Sequence, residues 1–259
     1  MTRRRLDIEL VRRGMVASRR EAQAAIESRR VTVGGVPTPK PATMVDSSSS
    51  LRLVGPSPRF VSRGGDKLAG ALDLFDVAVT GRRCLDAGAS TGGFSDCLLQ
   101  EGASAVVALD VGYGQLAWRI RNDPRVRVVE RTNLRHVDPA DIDAPFEVIV
   151  ADLSFISLCT VREALAACST GDTDFVLLVK PQFETGRSKV GKGGIVRDPK
   201  VHTEVLERVT GCLERSGSGA KEVIRSPIRG AGGNVEFFLW ARQGLVTVND
   251  EMIAKVVHA

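Results

Sequence analysis

The sequence predicts an α/β protein, with a doubly wound sheet preceded by a small α+β domain. Three observations carry this. From residue 82 onward, short apolar runs alternate with helical stretches, the pattern of strands joined by crossover helices. Before that, two amphipathic helical patterns are followed by an alternating stretch around a glycine pair. Between them GPSPRFVS, residues 55–62, holds two prolines and a glycine and reads as a connection. The expected limits are 1–58 for the first domain, 59–62 for a linker and 63–259 for the second.

In the first domain Leu6, Leu10 and Val11 fall on one face of a short helix that Gly14 ends. Ser18 and Glu21 have the spacing of a capping box, opening a second helix with Ala22, Ala25 and Ile26 as its buried stripe. VTVGGV then alternates around Gly34 and Gly35 as a hairpin, and LRLV (51–54) is a further strand. Arg19 and Arg20 occupy the first helical turn, where the helix dipole disfavours cations. A bound anion would reverse that cost.

The net charge of +5 is concentrated here. The first 58 residues carry ten arginines and one lysine against five acids, and the remainder is close to neutral. A short, arginine-rich, well-patterned segment points to a polyanion such as nucleic acid. With 43% apolar and 26% charged residues the chain has the balance of a soluble globular protein. No apolar run is long enough to span a bilayer, and no secretory signal opens the chain. Five cysteines, odd in number and without a C-x-x-C pair, argue against a disulfide framework or a structural zinc site, and fit a cytoplasmic location.

In the second domain the strand candidates are RRCLDAG, SAVVALD, RVRVVE, FEVIVADLSF, DFVLLVKPQF, AKEVIRS and NVEFFLW. The first runs into DAGASTGGF (86–94). Its glycine spacing is neither the dinucleotide pattern nor a P-loop. Asp110 ends the second strand, where an acid can accept from both hydroxyls of a ribose. Asp152 closes the fourth strand and Lys180 the fifth. Glu236 lies near the start of a late strand that would run antiparallel, and Lys67 opens the helix DKLAGALDLF. Glu236 interrupts an otherwise apolar strand, so it needs buried partners. Two lysines and two acids can supply them, as a structural network or as a catalytic one. GRSKVGKGGIVRD (186–198), after the fifth strand, is either a loop that closes over a bound polyanion or a plain surface loop.

Residues Arg5–Leu6–Asp7, Ser18–Ala22 and Val31–Gly35 resemble the S4 RNA-binding domain. The resemblance makes Arg4, Arg5, Arg19 and Arg20 the candidate phosphate contacts. Asp86, Gly88, Gly92 and the downstream Asp110 resemble the S-adenosylmethionine site of Rossmann-like methyltransferases, with Asn133 a further candidate near the adenine. The order Lys67, Asp152, Lys180, Glu236 is similar to the tetrad of FtsJ-like ribose 2′-O-methyltransferases. With the S4 module, the whole chain resembles the TlyA family, whose members methylate cytidine 2′-hydroxyls of small-subunit and, in some cases, large-subunit ribosomal RNA. That implies a Rossmann-like methyltransferase sheet behind an S4 domain, S-adenosylmethionine as cofactor, no metal, and ribosomal RNA or ribosomal subunits as partner. Lys180 would contact the 2′-hydroxyl as base or as steering cation, oriented by Asp152. Each site is complete within one chain, so a monomer is expected. The competing readings are a non-catalytic RNA-binding assembly factor and a membrane-active haemolysin; no long basic amphipathic segment supports the latter.

Overall fold

The computed structural model describes residues 3–16, 18–38, 40–55 and 58–259, without the side chains of Arg20 and Ala231. The chain forms two compact units, Met1–Pro58 and Arg59–Ala259.

The first unit runs β1 (Arg3–Arg5), α1 (Leu6–Arg12), α2 (Arg19–Glu27), β2 (Val31–Val33), β3 (Val36–Pro37), β4 (Met44–Asp46) and β5 (Leu51–Leu53). Ser18 caps α2 as its spacing predicts, its Oγ accepting from the Glu21 amide at 3.2 Å. Leu6, Leu10, Ala22, Ala25, Ile26, Val31, Val45 and Leu51 form the core. The β2–β3 hairpin and the β2–β5 pairing match the alternating pattern. The antiparallel β1–β4 pair was not legible in the sequence. Arg3–Arg5 has no apolar alternation and becomes a strand only through its partner.

Two carboxylates in this unit are fully buried, Asp7 and Glu9. Asp7 accepts from Arg5 (3.0 Å), Arg19 (3.1 Å) and Gln23 (3.1 Å). Glu9 accepts from Arg12 and Arg13. Hydrogen bonds from Arg5 hold the Asp7 carboxyl far below the usual carboxylate range, and those from Arg12 and Arg13 bring Glu9 down to about 2.

The second unit runs α3 (Arg63–Phe75), β6 (Arg83–Ala87), α4 (Gly93–Gln100), β7 (Ala105–Leu109), α5 (Trp118–Arg121), β8 (Val126–Val129), β9 (Phe146–Ala151), α6 (Leu158–Ala167), β10 (Ser169–Val179), α7 (Pro181–Glu184), α8 (Pro199–Glu214), β11 (Ser218–Arg225), β12 (Phe237–Gln243) and α9 (Asp250–His258). All seven predicted strands join one sheet in the order β11-β12-β10-β9-β6-β7-β8. The strands from β10 to β8 are mutually parallel, and β12 runs antiparallel to both its neighbours. Both faces are covered. Leu85, Ile149 and Leu177 point to one core with α6, α8 and α9, while Cys84, Val148 and Val176 point to the other with α3 and α4. The chain leaves β6 for β7 on one side and returns to β9 on the other. That reversal opens a crevice at the carboxyl ends of β6 and β9, where such sheets bind ligands.

Residues 59–62, read as a linker, pack on the second unit: Phe60 is buried in its core, and the Val61 amide donates to Asp96 at 2.7 Å. Two expectations are corrected. Helix α3 begins at Arg63, ahead of DKLAG, because Ser62 caps it, its Oγ accepting from the Gly64 amide at 3.3 Å. Cys159 of α6 and Cys212 of α8 are joined in a disulfide, with Cα atoms 5.6 Å apart. The two lie 53 residues apart on neighbouring helices, a pairing that cysteine spacing alone does not reveal.

Candidate active site

Strand β6 delivers the turn Gly88–Gly92 into the crevice. Gly88 has φ +89°, and a Cβ there would stand 2.7 Å from the Asp152 carbonyl oxygen. The Asp152 amide in turn donates to the Ala87 carbonyl at 3.0 Å. This close approach requires glycine, and it brings the end of β9 against the turn. Parallel neighbours β9 and β10 end at the same edge of the sheet, β10 running two residues past the Leu177–Ala151 pair, and Asp152 and Lys180 follow their last residues. Because β12 runs antiparallel, Glu236 arrives at the same edge from the other direction. Lys67 is supplied by the second turn of α3.

The four residues form two ion pairs. Lys180 Nζ pairs directly with Asp152 Oδ1 and donates to Ser154 Oγ at 3.1 Å. Lys67 Nζ pairs with Glu236 Oε2 at 2.5 Å, with side chains 9% and 2% exposed. Gly230 makes room for Glu236, since a Cβ there would lie 1.9 Å from Oε1. Lys67, Asp152 and Lys180 line one cleft of about 320 Å³, together with Ser62, Arg63, Gly88–Thr91 and Ser154. Glu236 sits behind Lys67.

The expected cofactor residues are distributed less simply. Gly88 lines the cleft. Gly92 is the bend before α4, packed under Leu116 and Ile120. Asp110 accepts from the Ser90 amide at 2.8 Å and the Gly112 amide at 2.6 Å. It lines a second, narrow cavity of about 10 Å³ with Gln115, Val128 and Glu130, which shares Ala89 and Ser90 with the main cleft. Asp86 is fully buried beneath the turn and lines neither cavity. Its Oδ2 accepts from Ser95 Oγ at 2.6 Å, and its Oδ1 has no hydrogen-bond partner. Burial pushes its carboxyl up to about 7. Asn133 is exposed, caps a short 3₁₀ turn by accepting from the Arg135 amide at 3.0 Å, and lines neither cavity. It is not brought to the site.

Of the candidate phosphate contacts, Arg4, Arg5 and Arg19 lie in the first unit with 41%, 40% and 56% of their side chains exposed. The Arg20 side chain lies outside the described residues. Sequence reasoning missed Ser62, Arg63, Thr91, Ser154 and Glu130 as lining residues. Ser62 carried a usable signal, a serine directly before a helical stripe. It also missed Phe155, 90% exposed with φ +65°, whose ring lies 4.8 Å from that of Phe183 beside Lys180.

A family model described as FtsJ-like methyltransferase matches residues 60–243, and one described as S4 domain matches residues 4–50. The chain belongs to the FtsJ-like methyltransferase family. It is 53% identical over 241 residues to a Mycobacterium tuberculosis protein named 16S/23S rRNA (cytidine-2′-O)-methyltransferase TlyA, covering 93% of this chain and 90% of that one. It is 39% identical to Hemolysin A of Brachyspira hyodysenteriae, covering 90% of this chain and 97% of the relative. A solved Streptococcus thermophilus protein, whose name gives hemolysin as a candidate role, matches with TM-score 0.78 and 39% identity over all of this chain and 95% of its own.

As an FtsJ-like enzyme the chain is an S-adenosylmethionine-dependent methyltransferase. The site suits that cofactor. The cleft has the volume of a small-ligand pocket, and the Gly88 turn lines it with backbone. Among the described residues no helix is long and apolar enough to cross a membrane.

Proposed function

We propose that the protein transfers a methyl group from S-adenosylmethionine to the 2′-hydroxyl of a cytidine in ribosomal RNA, of the small subunit and also of the large. The observation that carries this is the pair of ion pairs, Lys180–Asp152 and Lys67–Glu236, converging on one cleft beside the glycine turn. The 53% relative, named for this reaction on 16S and 23S RNA, supports it. The Gly88 turn and Asp110 would hold the cofactor, which supplies a methyl carbon already activated by its sulfonium.

The chain's own groups must fix the nucleophile and take its proton. An ammonium has three N–H donors. Lys180 is ion-paired to Asp152 and donates one N–H to Ser154, leaving a donor for the 2′-oxygen. As that oxygen attacks, Lys180 passes one of its protons to the Asp152 carboxylate and takes the 2′ proton in its place, so the pair ends with one more proton, held on Asp152, and the restored ammonium stabilises the developing negative charge. Lys67, paired to Glu236 behind it, adds a fixed charge to the lining of the same cleft. The S4 unit supplies affinity for folded RNA, with Arg4, Arg5 and Arg19 on the phosphates.

Incubation with methyl-labelled S-adenosylmethionine and ribosomal subunits, followed by mapping of the ribose-methylated nucleotide, tests this directly. Lys180→Ala is expected to lower transfer by about 100-fold or more while cofactor binding, read by calorimetry, stays intact. Normal turnover by that variant would refute the assignment.

A further inference from the structure

The segment 186–200 carries Arg187, Lys189, Lys192, Arg197 and Lys200 against a single acid, Asp198. The carboxylate of Asp198 is engaged in capping α8, accepting from the Lys200 amide at 2.9 Å. Lys189 pairs with Glu204. Arg187, Lys192, Arg197 and Lys200 are exposed, and among the described residues none has an acid within 4.0 Å.

The segment is built. Its tip closes as a tight hairpin, the Gly191 amide donating to the Ile195 carbonyl at 3.0 Å. One buried side chain holds it from below. Asn234, 3% exposed, accepts from the Val196 amide at 3.0 Å and donates to the Gly194 carbonyl at 2.9 Å. The buried His202 ring donates from Nε2 to the Val196 carbonyl at 3.1 Å. The same short stretch, Gly230–Glu236, therefore carries the clamp on the hairpin at Asn234 and the partner of Lys67 at Glu236. Its own loop is closed by the Gly230 amide donating to the Asn234 carbonyl at 2.9 Å.

We propose that the 187–197 segment, the hairpin and the short turn before it, grips the phosphate backbone of the RNA substrate, and that Asn234 is a positioning residue that couples this grip to Glu236. This rests on the RNA reading above. Unpaired guanidinium and ammonium groups on a fixed hairpin match closely spaced phosphates. A load on Val196 or Gly194 passes through one amide side chain to a backbone two residues from Glu236. The second unit thus has its own RNA contact, adjacent in the chain to its chemistry.

The test uses the full chain with ribosomal subunits and labelled methyl donor, at several salt concentrations. The triple variant Arg187→Ala/Lys192→Ala/Arg197→Ala is expected to raise KM for RNA about tenfold or more and to reduce the log–log salt slope by about two to three. Its melting temperature and cofactor affinity should match the parent. Asn234→Ala should lower kcat about tenfold as well as raise KM, and Asn234→Asp, which keeps the acceptor for Val196, should recover part of the kcat. An unchanged KM and salt slope in the triple variant would overturn the hairpin's role. A parental kcat in Asn234→Ala, or a loss there confined to melting temperature, would overturn the coupling. A parent chain that methylates no RNA would instead remove the substrate reading itself, so the failures are told apart.

Discussion

Asp7 and Glu9 in the N-terminal unit are fully buried, yet each is gripped by arginines whose outer edges remain in solvent. Glu236 in the large unit has one lysine, and that lysine is itself only 9% exposed. Both arrangements satisfy a buried carboxylate, but they do different things with the cation. The first spreads several guanidinium groups over a small surface and holds them at fixed positions. The second withdraws both charges from water, where a displaced partner leaves the other uncompensated. A many-to-one cluster suits display to a polyanion. A one-to-one buried pair suits a wall whose geometry must not drift.

The largest effect that separates the two is expected at Lys67. Lys67→Met leaves Glu236 buried without a counter-charge, and breaking such a pair costs roughly 3–5 kcal/mol. Denaturant unfolding of the large unit should show that loss, with methyl transfer falling in parallel. Adding Glu236→Gln should return part of the stability and none of the activity. A loss below about 1 kcal/mol for the single variant would mean that solvent reaches Glu236, and the contrast between the units would collapse.

A second effect, smaller at any one pH step, depends on pH, and its sign differs between the units. Asp86 is buried against one hydroxyl, and its carboxyl is raised to about 7 by desolvation. The folded state then holds a proton that the unfolded state has released, so this group's contribution to stability declines as pH rises from about 4 to 7. Asp7 and Glu9 are lowered by their arginines. Their contribution is present above their unfolded pKa values and is lost as pH falls through the folded ones. Asp86→Asn should therefore gain on the parent with rising pH, by at most about 1.4 kcal/mol per pH unit across that window. Urea titrations between pH 4 and 8 measure it. A difference that is flat with pH would show that Asp86 is ionised throughout.

Much of this was readable beforehand. The seven strands of the large sheet are apolar runs long enough to declare themselves, and the parallel order puts Asp152 and Lys180 together as soon as each is seen to end a strand. The antiparallel last strand, and with it Glu236, followed from the same topology. What the sequence hid depends on three-dimensional neighbours. β1 exists only because β4 pairs with it. Asp110 and Asp86 keep their places at the glycine turn, but both Asp110 oxygens are engaged by backbone amides, and Asp86 is buried with one oxygen on Ser95 and the other without a partner. Asn133 follows a strand as expected and is then turned outward to cap a 3₁₀ turn. Phe60 reads as linker because a lone aromatic between prolines and polar residues has no periodicity, yet it fills a core. The basic hairpin was visible as composition, whereas its clamp was not, since Asn234 lies 40 residues from Gly194 and has no pattern to mark it.

The smallest stability effect is expected where the cluster is most redundant. Arg19 is 56% exposed and contacts Asp7 at 3.1 Å, and Asp7 keeps Arg5 and Gln23 when Arg19 is removed. Arg19→Ala should therefore leave the melting temperature within about 2 °C of the parent, since half-exposed pairs contribute little. On the proposed function, the same variant should weaken RNA binding several-fold and lower its salt slope by about one, the loss of a single phosphate contact. Filter binding against salt, run beside thermal unfolding, reads both quantities on one preparation. A variant that loses stability but not affinity would show that the arginines serve the buried acid. The reverse result would show that the acid serves the arginines, which is what a many-to-one cluster built around a carboxylate at zero exposure is suited to do.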